Sequence, residues 1–128
     1  MLTLNLTSAF LCSRAVLAHM LERKSGRIVN ISSRTAVVPA PRQAAYSAAK
    51  AGVIALTRTL AEEVKASGIN VNCVLPSILD TEANRKAFPK ADYGNWVKPA
   101  DLARVLAFLV SEGSSQITGA AIPVYGKA

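Results

Sequence analysis

Residues 27–33 read RIVNISS, a short stretch of β-branched side chains that ends in two hydroxyl residues. β-branched side chains suit a buried, pleated surface, so the stretch predicts a strand. Apolar residues at helical spacing precede it over residues 3–24 and follow it over residues 43–66. A second strand pattern, INVNCVL at residues 69–75, comes directly after the second helix. Helix and strand therefore alternate from the start of the chain.

The rest of the chain continues this alternation. A polar loop with short helical pieces is predicted at residues 77–98, a helix at 99–112 and a short strand at 122–125. Helix followed by strand, three times over, predicts an α/β fold with a parallel sheet and right-handed crossovers. Parallel strands are usually covered on both faces, and three strands with one open side make a poor sheet on their own. We therefore expect residues 1–128 to be a single partial domain, with further strands and helices preceding residue 1.

Five single residues carry structural expectations. Gly26 and Gly68 are expected to end the first and second helices, because glycine adopts the left-handed backbone that stops a helix. Cys12 and Cys73 lie among apolar residues and are predicted to be buried free thiols. His19 is the only histidine, so a metal site is not expected.

Composition narrows the class of protein. The chain has 128 residues, of which 51% are hydrophobic, and its net charge is +7. The basic residues are scattered, without a dense run or interleaved aromatics, so solvated helix faces are favoured over nucleic-acid binding. The most apolar stretch, residues 2–20, is interrupted by polar side chains and has no basic segment before it, so neither a membrane span nor a signal peptide is expected. A cytoplasmic protein is the default expectation.

Tyr46 and Lys50 lie four residues apart and therefore project from the same face of the predicted second helix. The pKa of a free tyrosine is about 10. A fixed ammonium beside the phenol stabilises the phenolate, which is the form that a general base requires. Taken alone, the pair is more typical of an ordinary amphipathic helix with a snorkelling lysine. Its surroundings change that judgement. Ser33 and Pro76 each end a strand, and the carboxyl ends of parallel strands form the rim where open α/β sheets place their sites.

These residues resemble motifs of the short-chain dehydrogenase/reductase family. The segments GRIVNISS at 26–33 and YSAAKAGV at 46–53 carry the resemblance, and the spacing of Ser33 to Tyr46 matches the family's active site. The segment INVNCVLP at 69–76 resembles the strand that leads to the family's Pro-Gly motif, and ITGA at 117–120 resembles its Thr-Gly turn. The resemblance covers essentially the whole chain and implies a three-layer Rossmann-like parallel sheet, of which this chain is the C-terminal half.

The resemblance also implies the chemistry of the site. Tyr46 would be the general acid/base, Lys50 would hold the nicotinamide ribose and assist Tyr46, and Ser33 would orient the substrate oxygen. Asn5, on the first helix, would hold a water behind Lys50. The cofactor would be NAD or NADP, bound by Tyr46 and Lys50, and the residues beside its nicotinamide would be Pro76, Ser77, Ile78 and Thr81. The partners implied are a small alcohol or ketone substrate and a second copy of the chain, held through the helices that bear Asn5 and Tyr46.

The chain departs from the family pattern in four places. No Gly-rich turn is present, so no helix N-terminus is available for the cofactor's pyrophosphate. The residue that would select NAD or NADP is missing as well. Ser77 stands where the family usually has the glycine of its Pro-Gly motif, and YGKA at 125–128 replaces the usual Asp-Gly-Gly ending.

Three functions remain in competition. The first is an NAD(P)-dependent oxidoreductase whose recorded sequence is incomplete, acting on a secondary alcohol, a ketone or a 3-oxoacyl thioester. The second is a catalytically silent remnant that acts only as an association module. The third, with Ser33 as a hydrolase nucleophile, lacks a Gly-x-Ser-x-Gly elbow and is the weakest. The loop at 79–97 carries Phe88, Tyr93 and Trp96, which either cover the substrate or simply pack the loop.

Overall fold

The computed structural model describes all of residues 1–128. The chain opens with a π-helical turn, Thr3–Thr7, that runs directly into helix α1. The remaining helices and strands follow in the predicted order: α1 Ser8–Arg23, β1 Gly26–Ile31, α2 Ala44–Val64, β2 Ile69–Pro76, α3 Glu82–Ala87, α4 Pro99–Leu109 and β3 Ala121–Val124. Short 3-10 turns lie at Arg34–Ala36, Lys65–Ser67, Tyr93–Asn95 and Glu112–Ser114.

The three strands form one parallel sheet in the order β1-β2-β3. In its register Ile28 pairs with Val71, and Val74 pairs with Ile122. β2 is the central strand, and its residues are almost all buried. The predicted parallel sheet is therefore confirmed, and all three strands end at the same edge.

Helices cover the sheet on both faces. On one face, Leu60 and Val64 of α2, together with Leu17 of α1, pack on Ile28 and Val71. On the other face, α4 packs on the sheet in a second cluster that contains Val74, Leu102, Leu109 and Ile122. The predicted three-layer α/β fold is confirmed, because the apolar residues of each strand alternate between the two helical layers.

The outer side of the sheet is open. No strand pairs with the free edge of β1, and Ile31 at its end is 43% exposed. Thr3–Arg23 is a continuous helix of 21 residues with few buried positions, and it is long and apolar enough to cross a membrane by length and composition alone. This finding does not overturn the expectation of no membrane span, because helices of soluble proteins pass the same test.

Two single-residue expectations, those on Gly26 and Cys12, were wrong. Lys24, not Gly26, takes the left-handed backbone after α1, with φ of 52°, while Gly26 is already in β1. Cys12 is exposed, because it lies on a face of α1 that nothing in the chain covers, whereas Cys73 is buried as predicted. Gly68 has the expected left-handed backbone, with φ of 72°, but it follows an added 3-10 turn rather than α2 itself.

Candidate active site

The candidate site is a cavity of about 640 Å³ at the carboxyl edge of the sheet. This volume is in the range of small-molecule sites. The segments that follow β1 and β2, the first turns of α2 and the loop around α3 form its walls. The residues that line it are Ile31, Ser32, Ser33, Arg34, Thr35, Val38, Pro39, Ala40, Gln43, Tyr46, Lys50, Pro76, Ser77, Ile78, Leu79, Asn84, Phe88 and Ala128.

Ser33 follows β1 and presents its hydroxyl to the cavity. Its backbone is extended, and it caps the 3-10 turn Arg34–Ala36 by accepting a hydrogen bond from the Thr35 N–H at 3.3 Å. Its Oγ also lies 3.1 Å from the Thr35 Oγ1. These contacts hold Ser33 in place while its Oγ still has capacity for one more partner.

Tyr46 and Lys50 enter the same cavity from the first turns of α2. The Lys50 Nζ lies 5.8 Å from the centre of the Tyr46 ring and donates a hydrogen bond of 2.8 Å to the Ile31 carbonyl. Burial lowers the pKa of Lys50 below its ordinary value, because the ammonium loses part of its hydration. An ammonium has three donors, so at least two remain for other groups.

Ser32 fixes α2 against the sheet. Its Oγ donates to the Lys50 carbonyl at 2.7 Å, and its N–H donates to the Val74 carbonyl at 2.8 Å. Both bonds reach segments that are distant in the sequence. Helix α2 is thereby held so that Lys50 lies directly over the end of β1.

Asn5 does not line the cavity. It lies in the π-helical turn, where its Nδ2 donates to the Met1 carbonyl at 3.0 Å. π-helical turns are frequent at functional sites. The turn lies close to α2, because a Cβ on Gly52 would come within 2.7 Å of the Leu6 Cδ2. Asn5 is thus on the segment that packs behind Lys50.

Of the four residues predicted to lie beside the nicotinamide, three line the cavity and one does not. Pro76, Ser77 and Ile78 all line the cavity. The Ser77 Oγ donates to the Tyr125 carbonyl at 2.8 Å, so its side chain points back to β3. Thr81 does not line the cavity, and its Oγ1 instead accepts a hydrogen bond from the Asn84 N–H as the N-cap of α3.

Several lining residues escaped the sequence analysis. Arg34 and Thr35 follow Ser33 directly, and Gln43 lies one helical turn before Tyr46, so adjacency was a signal for all three. Asn84 comes from the loop at 79–97, which also carries Phe88, and only the folded loop brings Asn84 to the cavity.

The aromatic residues of that loop form a small cluster. The Phe88 and Trp96 rings meet edge to face at 6.3 Å, and the Tyr93 and Trp96 rings lie 4.8 Å apart. Phe88 is among the residues that line the cavity, and Tyr93 and Trp96 are not. Phe88 therefore covers the site, while Tyr93 and Trp96 pack the loop.

Only one end of a nicotinamide cofactor finds matching groups in this chain. The free donors of Lys50 suit ribose hydroxyls, and the apolar segment from Pro76 to Ile78 suits a flat ring. No glycine-rich turn lies at the cavity among residues 1–128, so the pyrophosphate has no matching backbone donors. The chain fits the nicotinamide riboside end and not the whole cofactor.

Comparison with known proteins gives consistent matches. A family model described as short chain dehydrogenase matches residues 1–92. The 3-oxoacyl-(acyl-carrier-protein) reductase of Synechocystis sp. is 41% identical over 132 residues, which cover 96% of this chain and 52% of that protein. The (2S)-((R)-hydroxy(phenyl)methyl)succinyl-CoA dehydrogenase subunit BbsD of Thauera aromatica is 40% identical over 133 residues, which cover 98% of this chain and 53% of that protein.

A solved structure agrees with these matches. The crystal structure of a 3-oxoacyl-(acyl-carrier protein) reductase from Brucella melitensis superposes with a TM-score of 0.88 at 30% identity, over 96% of this chain and 49% of that one. The chain thus spans about half the length of the curated relatives that it matches.

Proposed function

The chain belongs to the short chain dehydrogenase family, and on that premise we propose that it carries the catalytic residues of an NAD(P)-dependent oxidoreductase. The reaction is the interconversion of a secondary alcohol and a ketone, with 3-oxoacyl thioesters as one substrate class. The observation that carries the proposal is that Ser33, Tyr46 and Lys50 line one cavity at the carboxyl edge of the sheet. The relatives named as a 3-oxoacyl reductase and a CoA-thioester dehydrogenase support this substrate class.

Each of these side chains has a defined part in the proposed reaction. The Ser33 Oγ donates to the substrate oxygen and orients the carbonyl carbon. The Tyr46 hydroxyl gives that oxygen its proton during reduction and takes the proton back during oxidation. The positive charge of Lys50, held by the Ile31 carbonyl, favours the negative oxygen left on Tyr46. Asn5 holds a water through which the proton is replaced.

The cofactor would be held at its nicotinamide end. Lys50 and Tyr46 would bind the ribose hydroxyls, and Pro76, Ser77 and Ile78 would lie along the ring, with Thr81 on the segment that follows them. When bound, the nicotinamide supplies or accepts the hydride. The pyrophosphate and the adenosine require groups outside residues 1–128, which is why we propose that these residues are part of a larger domain.

The reductase assay tests this proposal directly. The purified chain is mixed with acetoacetyl-CoA and either NADH or NADPH, and the absorbance of the reduced nicotinamide is followed. We expect Tyr46→Phe to lower the rate by about 100-fold or more, because the proton donor is removed and the ring is kept. Tyr93→Phe, a matched change outside the cavity, should leave the rate unchanged. An unaltered rate in Tyr46→Phe contradicts the proposal, and no oxidation by the wild type favours the second candidate below.

A catalytically silent association module is the second candidate. It is favoured by the exposed apolar residues of α1, among them Phe10, Leu11 and Val16. It is also favoured by the lack of a pyrophosphate site. We propose that in either case the chain is a cytoplasmic homo-oligomer, joined through the helices that bear Asn5 and Tyr46. A nucleotide titration followed by Trp96 fluorescence separates the two candidates, because only the enzyme should show saturable binding of NAD(H) or NADP(H).

A further inference from the structure

The charges that line the cavity are unbalanced. Arg34 and Lys50 are its only charged side chains, and no aspartate or glutamate is among its lining residues. Ala128, the last residue, also lines the cavity, but no ion pair joins it to either cation. The interior of the cavity is therefore positive, and an anion that enters it meets no carboxylate side chain.

Lys50 and Arg34 differ in how they are engaged. The Lys50 ammonium is bonded to the Ile31 carbonyl and lies beside Tyr46. The Arg34 guanidinium is half-buried, and no oxygen in the chain accepts a hydrogen bond from it. It lies over the Tyr125 ring, with its central carbon 5.2 Å from the ring centre. A guanidinium has five donors, and those of Arg34 face solvent in the cavity, where the oxygens of a ligand can replace water.

The ring contact prepares Arg34 for such a ligand. A guanidinium positioned over an aromatic ring is restrained in orientation, and its edge still offers paired N–H groups that match a carboxylate or a phosphate. The backbone of Arg34 is held as well, because its carbonyl accepts hydrogen bonds from the Val37 and Val38 N–H groups at 3.0 and 2.8 Å. Little conformational freedom is therefore lost when an anion binds.

Arg34 and Ser33 face the same ligand space. Arg34 directly follows Ser33, and both side chains line the cavity. The guanidinium extends away from Ser33 toward Tyr125, which follows β3. A ligand that places its reacting oxygen on Ser33 can therefore reach Arg34 with another substituent.

We propose that Arg34 binds an oxyanion of the substrate, a carboxylate or a phosphate, and thereby selects charged ketones or alcohols over neutral ones. This inference rests on the proposed function, because it assumes that Ser33 holds the reacting oxygen. It narrows the substrate class to keto or hydroxy compounds that carry an anionic group, either on the reacting molecule itself or, in a thioester, on its carrier.

The test is a binding measurement that needs no cofactor. The isotope-labelled chain is titrated with acetoacetate and with its neutral analogue 4-hydroxy-2-butanone, and the amide NMR signals are followed. A parallel pair, hydroxyacetone phosphate and hydroxyacetone, distinguishes phosphate from carboxylate. We expect one anion to bind at least about tenfold more tightly than its neutral partner, because a charge-assisted, bidentate pair forms.

Variants assign that preference to a residue. Arg34→Gln keeps a polar side chain of similar length and should abolish the preference, while Arg34→Lys should retain part of it. Arg14→Gln removes the same charge from α1, far from the cavity, and should leave the preference intact. A preference that survives Arg34→Gln, or that falls equally in Arg14→Gln, overturns the proposal.

The outcomes also separate this inference from the proposed function. If charged and neutral ketones shift the Ser33 and Tyr46 signals with equal affinity, the inference on Arg34 fails and the proposed function stands. If no ketone binds at the cavity, both are contradicted.

Discussion

At the scale of single residues, the site depends on a lysine that is only partly hydrated. The Lys50 ammonium gives up water to reach the Ile31 carbonyl and the Tyr46 ring. Burial lowers its pKa below 10.5, so between the lowered pKa and 10.5 the unfolded chain binds more protons than the folded chain. Stability therefore rises with pH across this window. At pH values below this window, the ammonium is charged in the folded chain, and the full free-energy cost of burying that charge is present.

Lys50→Met makes this dependence measurable. The variant loses the bond to the Ile31 carbonyl, which is a cost that does not change with pH, and it removes the titrating group. We expect the free energy of unfolding of Lys50→Met, relative to wild type, to be most favourable near pH 7 and to fall as the pH rises toward 10.5. Urea unfolding at a series of pH values measures the difference. Lys90→Met, in an exposed loop, is the matched control, and a difference for Lys50→Met that is constant or grows with pH contradicts the assignment.

The two cysteines lie in opposite environments, one exposed and one buried. Cys73 is fully buried in β2, and burial raises the pKa of its thiol, while Cys12 is exposed on α1. Because the thiolate is the reactive form, a raised pKa and burial both suppress reaction.

A thiol-reactive disulfide reagent should therefore modify one cysteine in the folded chain and two after unfolding. The Cys12→Ser variant should show no fast reaction, and its one remaining thiol should react only in denaturant. Reagent absorbance gives both the stoichiometry and the rates. Rapid modification of folded Cys12→Ser would contradict the burial of Cys73.

At the scale of elements, the connection between α2 and β2 depends on one glycine. Gly68 has φ of 72°, and a Cβ there would lie 2.5 Å from the Lys24 carbonyl oxygen. Both the left-handed backbone and the backbone contact oppose any side chain at this position. Lys24 follows α1 and Gly68 precedes β2, so the missing side chain at Gly68 also allows the end of α1 to pack against the start of β2.

Gly68→Ala is expected to lower the free energy of unfolding by about 2 kcal/mol or more, from the backbone penalty together with the overpacking. Urea unfolding measures the loss. Gly94→Ala is the comparison, since Gly94 needs no left-handed backbone and its nearest neighbour is the flexible Asp92 carboxylate. Equal losses in the two variants would show that the Gly68 backbone carries no special cost.

At the scale of the whole molecule, α1 is the least covered helix. Phe10 is 47% exposed and Leu21 is 43% exposed, on a helix whose only buried residue is Ser13. Large apolar side chains in one exposed region are typical of an interaction surface. The proposed homo-oligomer buries this region against a second copy.

Phe10→Glu combined with Leu21→Glu should shift the chain toward the monomer, because charges are then forced into the contact. Sedimentation velocity over a range of concentrations measures the shift. Phe108→Glu, at an equally exposed phenylalanine on α4, is the control and should leave association unchanged. A wild-type chain that is monomeric throughout, or an equal effect of the control, contradicts the interface.

The sequence by itself was sufficient for the order of helices and strands and for the parallel sheet, and its resemblance to a known family predicted that Ser33, Tyr46 and Lys50 lie together. Hydrophobic periodicity determines each element locally, and the ends of parallel strands necessarily share one edge. Only the tertiary structure decided that Lys24 rather than Gly26 ends α1, that Cys12 is exposed, and that Arg34 lies over Tyr125. These features depend on which distant segments come together or stay apart, and a local pattern holds no information about such contacts.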